Sequence, residues 1–324
     1  VTVLVAAAAL AQAPKPIDDI ILRAMKEELG RSRALRLLSL APPYFIEYAL
    51  HDGEQVSVSA TLGALIQLRR VRYRLPRIQV RVGDYASDNT NFLGAEFYPG
   101  TRWEVDQFPL DDSYPVLRHH LWLATDSAYK AAVEALARKR AALSNVAPGE
   151  QLPDFARAEP LQKLEPVRAE TIDEKAWGAR LRRLSAVFED YPQVYSSVVE
   201  LEFSRAAHYL MNSEGTQIRL PEAAVVVRAR ASAQAADGMP LRDVTVFHAL
   251  SLGGMPSELE LERAIRQVAE NLTALVRAPV SEAYTGPVLF EGTAGPQILA
   301  ELLGRQLAVP RRPLSPPGRP ISFL

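Results

Sequence analysis

Three short glycine-containing turns constrain this sequence most, because each joins two stretches in which apolar and polar residues alternate. The turns are Asp52-Gly53, residues 212–216 and Asp237-Gly238. Residues 55–62 and 223–233 show the alternation, which is typical of strands with one buried face. Strands joined by such short turns pair antiparallel. The sequence therefore predicts antiparallel β-sheet as its main element, with turns at these three places.

Four segments instead repeat apolar residues every three or four positions, which predicts helices. They are residues 17–38, 116–143, 171–188 and 257–276. Thr171 with Glu174, and Ser257 with Glu260, match the capping box that opens a helix. Hairpin signals outnumber strand–helix–strand alternation, so the predicted fold class is α+β, with antiparallel sheets and long helices packed on one face.

Composition excludes several classes of protein. The 324 residues carry a net charge of -1, which lacks the basic excess of a general nucleic-acid or anionic-membrane binder. The absence of cysteine excludes disulfides, thiolate metal sites and cysteine nucleophiles. Residues 69–81 form a locally basic segment with six arginines. We interpret it as a solvated strand face, with an anion site as the alternative.

The first residues predict a compartment. Residues 1–13 form an apolar run that ends in Ala11-Gln12-Ala13, as in the core and cleavage site of a secretory signal peptide. The run is too short to span a membrane, and no other segment is a transmembrane candidate. A signal peptide predicts a periplasmic or secreted protein. The protein is cytoplasmic if this run is instead a buried helix or strand.

Histidine chemistry has weak support in the sequence. The histidines are His51, His119, His120, His208 and His248, and no two are four residues apart, as a helical zinc motif requires. His119 and His120 are adjacent on a predicted helix and point in different directions. His208 and His248 both fall on predicted strands and are the alternative for a tertiary metal site. A structural role is the preferred interpretation of both.

Serine and paired-acid chemistry is also disfavoured. Ser251 follows a predicted strand in a near match to a nucleophile elbow, but no histidine follows it in the chain, so the hydrolase order fails. Asp111-Asp112 and Glu189-Asp190 fall at predicted helix ends, where they are interpreted as caps.

Residues 284–303 form the most distinctive stretch near the end of the chain. A strand is predicted at residues 287–290, a small-residue turn at 291–295 and a helix from Pro296 onward. Such a strand–turn–helix is a common position for catalytic groups. This one contains no histidine, cysteine or lysine.

Several stretches together resemble the TldD/PmbA family, also called modulators of DNA gyrase. They are residues 209–216 (YLMNSEGT), the strand 223–233 with its turn Asp237-Gly238-Met239, the segment 51–53 and residues 284–303. The resemblance spans most of residues 17–303 and rests on their order and spacing.

The resemblance implies zinc-dependent peptidases, built from two related subunits around an enclosed cavity. One subunit carries an HExxxH motif in its C-terminal domain, and the other lacks it. Glu291, Gly292 and Pro296 stand where the first His, the Glu and the second His of that motif would be. No catalytic or metal residue is therefore carried over, and no cofactor is expected in this chain, although the family uses zinc.

We therefore expect the metal-free subunit type or a truncated member, with peptide as substrate and a paralogous TldD-like subunit as partner. Neither nucleic acid nor a membrane span is expected. Two alternatives stay open: an active peptidase whose metal site is assembled unconventionally, and a secreted non-enzymatic peptide-binding or structural module.

The predicted domains follow from the same patterns. Residues 1–13 are the signal peptide, and residues 14–114 an N-terminal α+β domain. Residues 115–280 are a middle α+β domain with the long helices. Residues 281–324 are the beginning of a truncated C-terminal domain.

Overall fold

A computed structural model describes residues 19–36, 42–92, 101–102, 108–144, 152–167, 170–280 and 283–307. The predicted signal peptide lies outside these residues. The helices are α1 (Ile20–Ser32), α2 (Tyr114–Leu143), α3 (Glu174–Ala186), α4 (Glu258–Arg277) and α5 (Ala294–Leu299). The strands are β1 (Phe45–Thr61), β2 (Ala64–Arg81), β3 (Thr101–Arg102), β4 (Gln162–Leu164), β5 (Val194–Asn212), β6 (Gln217–Gln234) and β7 (Pro240–Ala249).

All seven strands form one sheet in the order β3-β2-β1-β5-β6-β4, and β7 also pairs with β6. The long strands pair antiparallel, while the short β4 runs parallel to β6. The predicted α+β class with antiparallel pairing is confirmed. The pairing of β1 with β5 crosses the domain boundary predicted between residues 114 and 115.

The predicted turn at Asp52-Gly53 is wrong. β1 continues through both residues, and the hairpin turns at Leu62-Gly63, where both residues have positive φ (42° and 69°). Gly53 has a different role, because the ring of Tyr73 on β2 occupies the space that a side chain would need. A Cβ at Gly53 would lie 2.5 Å from the Cζ of Tyr73. The glycine therefore permits a close approach and does not make a turn.

The other two predicted turns are confirmed. Residues 212–216 join β5 to β6, and the Asn212 side chain accepts hydrogen bonds from the backbone of Glu214 and Thr216. Gly238, with a φ of 89°, lies in the turn before β7. β5 and β6 are each continuous over their full length. Pro221 fits within β6 because it lies between the segments of that edge that pair with β4 and β7.

Helices α1 to α4 pack on one face of the sheet, as predicted, whereas α5 buries no residue. Even-numbered residues of β1 are buried against them, and α1 and α2 cover Ile46, Tyr48 and Leu50. α3 and α4 cover the other half of the same face, at Val56, Val58 and Ala60. The two hydrophobic clusters thus lie side by side, and the odd-numbered residues of β1 point to the opposite face.

Helix starts differ from prediction in two places. α3 is capped by Asp173, which accepts from the backbone N–H of Ala176, so the capping box predicted from Thr171 is wrong. Asp112 does not cap α2, because its carboxylate accepts from the Arg74 guanidinium. The capping box of Ser257 and Glu260 is confirmed at the start of α4.

The stretch around residues 284–303 is only partly as predicted. Residues 287–290 form no strand, and their apolar side chains are exposed. A helix does follow, beginning at Ala294 and continuing as a π-helical turn at Ala300–Gly304. The predicted strand failed because, in the described part of the chain, no neighbouring strand pairs with it. None of the helices in the described residues is both long and apolar enough to cross a membrane.

Candidate functional site

The positions that correspond to the family's zinc motif carry no set of metal donors. Glu291 is exposed, Gly292 has no side chain and a φ of 57°, and Pro296 offers no donor atom on its ring. These residues do not fit a zinc ion, which needs several nitrogen, oxygen or sulfur ligands from the protein. No catalytic step can be assigned to them.

A different group of side chains converges on the face of the sheet that the helices leave uncovered. In the described part of the chain, the one group of three side chains able to hold a metal is His51, His208 and Glu222. They lie on β1, β5 and β6, three neighbouring strands. We call this group the His–His–Glu cluster.

Strand register brings the cluster together. His51 is directly opposite His208 in the β1–β5 pair, and Glu222 pairs with Ala206, two residues from His208. Directly opposite side chains in antiparallel strands have their Cβ atoms about 5 Å apart, and diagonal ones are still within reach. One ligand atom from each residue therefore lies within 4.8 Å of the others.

The two imidazoles stack, and the carboxylate contacts one of them. The ring centroids of His51 and His208 are 4.0 Å apart with an interplanar angle of 27°. Nε2 of His208 forms a short hydrogen bond with Oε2 of Glu222. The side chains of His208 and Glu222 are 45% and 59% exposed, so the cluster opens to solvent on that side.

The cluster's electrostatics favour a neutral His51. Burial lowers the pKa of the His51 imidazole, and the neighbouring His208 lowers it further, whereas the charges of Glu222 and Asp52 oppose both. The hydrogen bond from His208 lowers the pKa of the Glu222 carboxyl. The cluster therefore offers a carboxylate and a neutral imidazole at neutral pH, both of which can donate an electron pair.

Tyr73 forms one wall of the cluster. Its ring meets that of His51 edge to face, at 5.4 Å between centroids and 89° between planes. Burial raises the pKa of the Tyr73 hydroxyl, and the charges of Glu222 and Asp52 add to that effect. The Tyr73 phenol is therefore harder to ionise than an exposed tyrosine.

The cluster was not predicted from the sequence, because His208 was paired there with the wrong histidine. His208 was considered with His248, which is far from it in the sheet. His248 on β7 is opposite Val226 on β6, and Val226 is opposite Glu202 on β5. Glu202 and His208 are six residues apart on β5, which is about 20 Å along a strand. The segment 51–53, interpreted as a turn, is instead the strand position that brings His51 to His208.

Ser251 has no nucleophile-elbow geometry. It is followed by a short 3-10 turn, Leu252–Gly254, and α4 begins only at Glu258. A nucleophile elbow needs a sharp turn directly into a helix.

The other two histidines, His119 and His120, lie on α2, where Nδ1 of His120 is 2.9 Å from the Val116 carbonyl oxygen.

Five of the six arginines in the basic segment, residues 69–81, are paired with carboxylates. Arg74 is only 1% exposed, so the interpretation as a solvated face is wrong for it. Its guanidinium bonds Asp52 at 2.9 Å and Asp112 at 2.6 Å. Further pairs are Arg70 with Glu54 and Glu174, Arg72 with Asp112, Arg77 with Glu47, and Arg81 with Asp88.

Three residues of these pairs, Asp52, Glu54 and Arg72, line a cleft between the two hydrophobic clusters. The cleft has a volume of about 470 Å³, and Arg205 and Glu222 also line it. Arg205 bonds Glu54 at 2.8 Å, so these two charges are paired with each other. A structural role explains the cleft.

β7 forms an edge of the sheet beside a second, shallower pocket. In the described part of the chain, β7 pairs with β6 alone. The pocket, of about 610 Å³, lies on the uncovered face and is lined by Ser196, Val198, Arg230, Ala231, Ser232, Arg242, Asp243 and Val244. The neighbouring Val244 and Val246 are 53% and 47% exposed.

Comparison with known proteins finds similar folds among solved structures. A candidate modulator of DNA gyrase from Thermotoga maritima is 13% identical, with 74% of this chain and 46% of that chain covered, at a TM-score of 0.46. TldE from Thermococcus kodakarensis is 10% identical, with 77% and 47% covered and a TM-score of 0.47. A candidate modulator of DNA gyrase from Bacteroides thetaiotaomicron is 10% identical, with 80% and 48% covered and a TM-score of 0.45.

The names of these three chains fall in the group of proteins that the sequence stretches resemble. The likeness extends to the fold alone, and the chain spans about half the length of the solved structures it matches. Neither a family model nor a curated protein matches the sequence.

Proposed function

We propose that this chain holds extended peptide segments for a TldD/PmbA-type peptidase assembly, in which a paralogous TldD-like subunit carries the hydrolytic zinc. The observation behind the proposal is the edge strand β7, with exposed apolar side chains and a shallow pocket next to it. An unpaired edge strand can add an extended peptide as a further strand through backbone hydrogen bonds.

The hydrogen bonds of β7 indicate which of its groups face outward. The backbone N–H of Val244 donates to the Asp243 side chain at 2.8 Å and is thus directed away from β6. Alternate residues of an antiparallel strand direct their N–H and C=O groups to the same side. The backbone groups of Val246 and His248 therefore also point away from β6, and they are the ones that would pair with a peptide.

Asp243 protects part of this edge. Its carboxylate accepts from Val244 with one oxygen and from the Asn271 side chain with the other. A charged side chain folded over an edge blocks strand addition at that point. Peptide pairing is therefore confined to the second half of β7, with the pocket beside the first half available for a peptide side chain.

Two features support an assembly in which this chain binds the peptide and a partner subunit hydrolyses it. Glu291, Gly292 and Pro296 give this chain no zinc ligands of the family type. The resemblance implies a second, HExxxH-bearing subunit. Hydrolysis by the assembly is then expected only when that partner is present, and a periplasmic or secreted location would apply to both subunits.

Peptide binding can be tested by removing one outward N–H group. We expect Val246→Pro to weaken binding of a fluorescein-labelled unstructured peptide by about tenfold, since one backbone hydrogen bond and strand continuity are lost. Fluorescence anisotropy measures the affinity. Proline is tolerated in an edge strand when its nitrogen faces outward, so the fold should persist.

Val246→Thr is the matched control, because it keeps the N–H and the β-branched shape and should bind within about twofold of the parent chain. Absence of peptide binding by the parent chain, or equal loss in both variants, contradicts the proposal. Failure to co-purify with an HExxxH-bearing paralogue contradicts the assembly but leaves peptide binding intact.

A further inference from the structure

We propose that His51, His208 and Glu222 form a binding site for a divalent transition-metal ion of the Zn²⁺ class on the uncovered face of the sheet. This site is separate from the family's zinc motif, which corresponds to residues near the end of the described chain. It is also independent of the peptide-binding edge, since the two proposals share no residue.

Rigid neighbouring strands position the donor groups. His51 and His208 are directly opposite each other on the two central strands of the sheet, and Glu222 is on the next strand. Metal sites on strands keep their geometry better than sites on loops, because backbone pairing fixes each Cβ. The site therefore needs only side-chain rotation to form.

The chemistry of the donor set selects the ion. Two imidazoles and one carboxylate are a ligand set that zinc accepts in proteins, with a fourth position left for water or another ligand. Imidazole nitrogen is preferred by Zn²⁺, Cu²⁺ and Ni²⁺, whereas Mg²⁺ and Ca²⁺ prefer oxygen ligands. The two histidines therefore favour a late transition metal over the alkaline-earth ions.

Distances are compatible with a small closure around an ion. The three ligand atoms lie within 4.8 Å of one another. A shift of roughly 1 Å by each atom would bring them to the ~2.1 Å Zn–N and Zn–O distances. His208 and Glu222 are the more exposed members, so they have the freedom to make this shift.

One ring nitrogen of His51 has no hydrogen-bond partner among the described residues, which supports its role as a metal ligand. Nε2 of His51 is closed off from solvent, and among the described residues it has no hydrogen-bond partner. A buried polar atom without a partner is destabilising, and most such atoms in folded proteins have a hydrogen-bond partner. A cation bound in the ring plane at Nε2 of His51 would give that atom a partner, whereas a histidine with only a structural role would be expected to have a hydrogen-bond partner already.

The direct test is a Zn²⁺ titration of the full chain in competition with a chromogenic chelator. We expect saturation at one Zn²⁺ per chain. His51→Ala, His208→Ala and Glu222→Gln should each weaken binding by at least about tenfold, since each removes one of three ligands. His248→Ala is the matched control, because His248 is also on the sheet but lies outside the cluster. It should bind like the parent chain.

Binding without saturation at one equivalent overturns the proposal, and so does equal loss in His248→Ala. Unchanged affinity in both histidine variants also overturns it, provided that their circular dichroism shows a native fold. If a variant does not fold, NMR of the parent chain decides. The imidazole resonances of His51 and His208 should shift on adding Zn²⁺ while those of His119, His120 and His248 stay in place. Any other pattern contradicts the site.

Discussion

At the scale of single residues, Gly53 shows how one residue type can have two meanings. Asp-Gly is a strong hairpin signal, and the alternating residues around it made a turn the natural interpretation. In the structure Gly53 has no positive φ and lies inside a 17-residue strand. Its lack of a side chain lets the Tyr73 ring lie across the strand and against His51.

Gly53→Ala should therefore destabilise the fold by about 1 kcal/mol, because the added methyl group overlaps the Tyr73 ring. Urea unfolding measures the change. In a Tyr73→Ala background the same substitution should instead stabilise by about 0.5–1 kcal/mol, since alanine restricts the unfolded chain more than glycine. Equal effects in the two backgrounds would show that the ring contact is unimportant.

Gly30 provides the control for that experiment. It lies within α1, and a Cβ there would meet nothing within 4 Å. Gly30→Ala should stabilise the chain by about 0.5–1 kcal/mol through helix propensity. A loss of stability there would mean that the space around α1 is tighter than the structure shows.

At the scale of elements, the β1–β2 hairpin has an unusual turn. Leu62 has a φ of 42° and Gly63 a φ of 69°, the combination that two-residue turns between twisted strands require. Left-handed backbone costs a residue with a side chain about 1–2 kcal/mol, and asparagine tolerates it best after glycine. The side chain of Leu62 is also half-exposed. The turn is therefore imposed by the pairing of the two long strands and not by its own sequence.

Leu62→Asn should stabilise the fold by about 1 kcal/mol, since it creates the Asn-Gly pair that this turn geometry favours. The midpoint of thermal or urea unfolding reports the gain. Leu62→Ala is the control, which removes the exposed side chain but keeps the strained backbone and should be near neutral. A gain in both variants would assign the effect to the exposed leucine side chain.

β7 and the segment near residue 287 differ in whether a neighbouring strand pairs with them. Both have apolar residues suited to strands, but only β7 has a neighbour, β6, over its whole length. Strand formation needs such a partner, whereas helix formation is mostly local. The apolar pattern at residues 287–290 was therefore a poor guide, while the helix that begins at Ala294 was close to its prediction.

At the scale of the whole molecule, a polar layer separates the two hydrophobic clusters on one face of the sheet. Arg74 is its central member and donates to Asp52 and Asp112 as well as to the carbonyls of Pro109 and Asp111. These contacts join β2 to the segment that leads into α2. A single planar guanidinium thus ties the sheet to the longest helix.

Arg74→Lys should destabilise the fold by about 2 kcal/mol, because one ammonium group on a buried side chain cannot reach all four acceptors of the guanidinium. Arg77→Lys is the matched control. Arg77 is 39% exposed and forms an ion pair with Glu47, so its change should be under about 0.5 kcal/mol. Urea unfolding of both variants separates the two cases, and similar losses would contradict the role given to Arg74.

Local patterns in the sequence by themselves determined the α+β class, the positions of four helices, two of the three turns and the antiparallel pairing. These features depend on residues close together in the chain, and periodicity records them. The tertiary structure decided the strand register, which set His51 opposite His208 and buried Arg74 among carboxylates. Register depends on contacts between distant strands, and a shift by one residue exchanges the two faces, so no local pattern could place the His–His–Glu cluster.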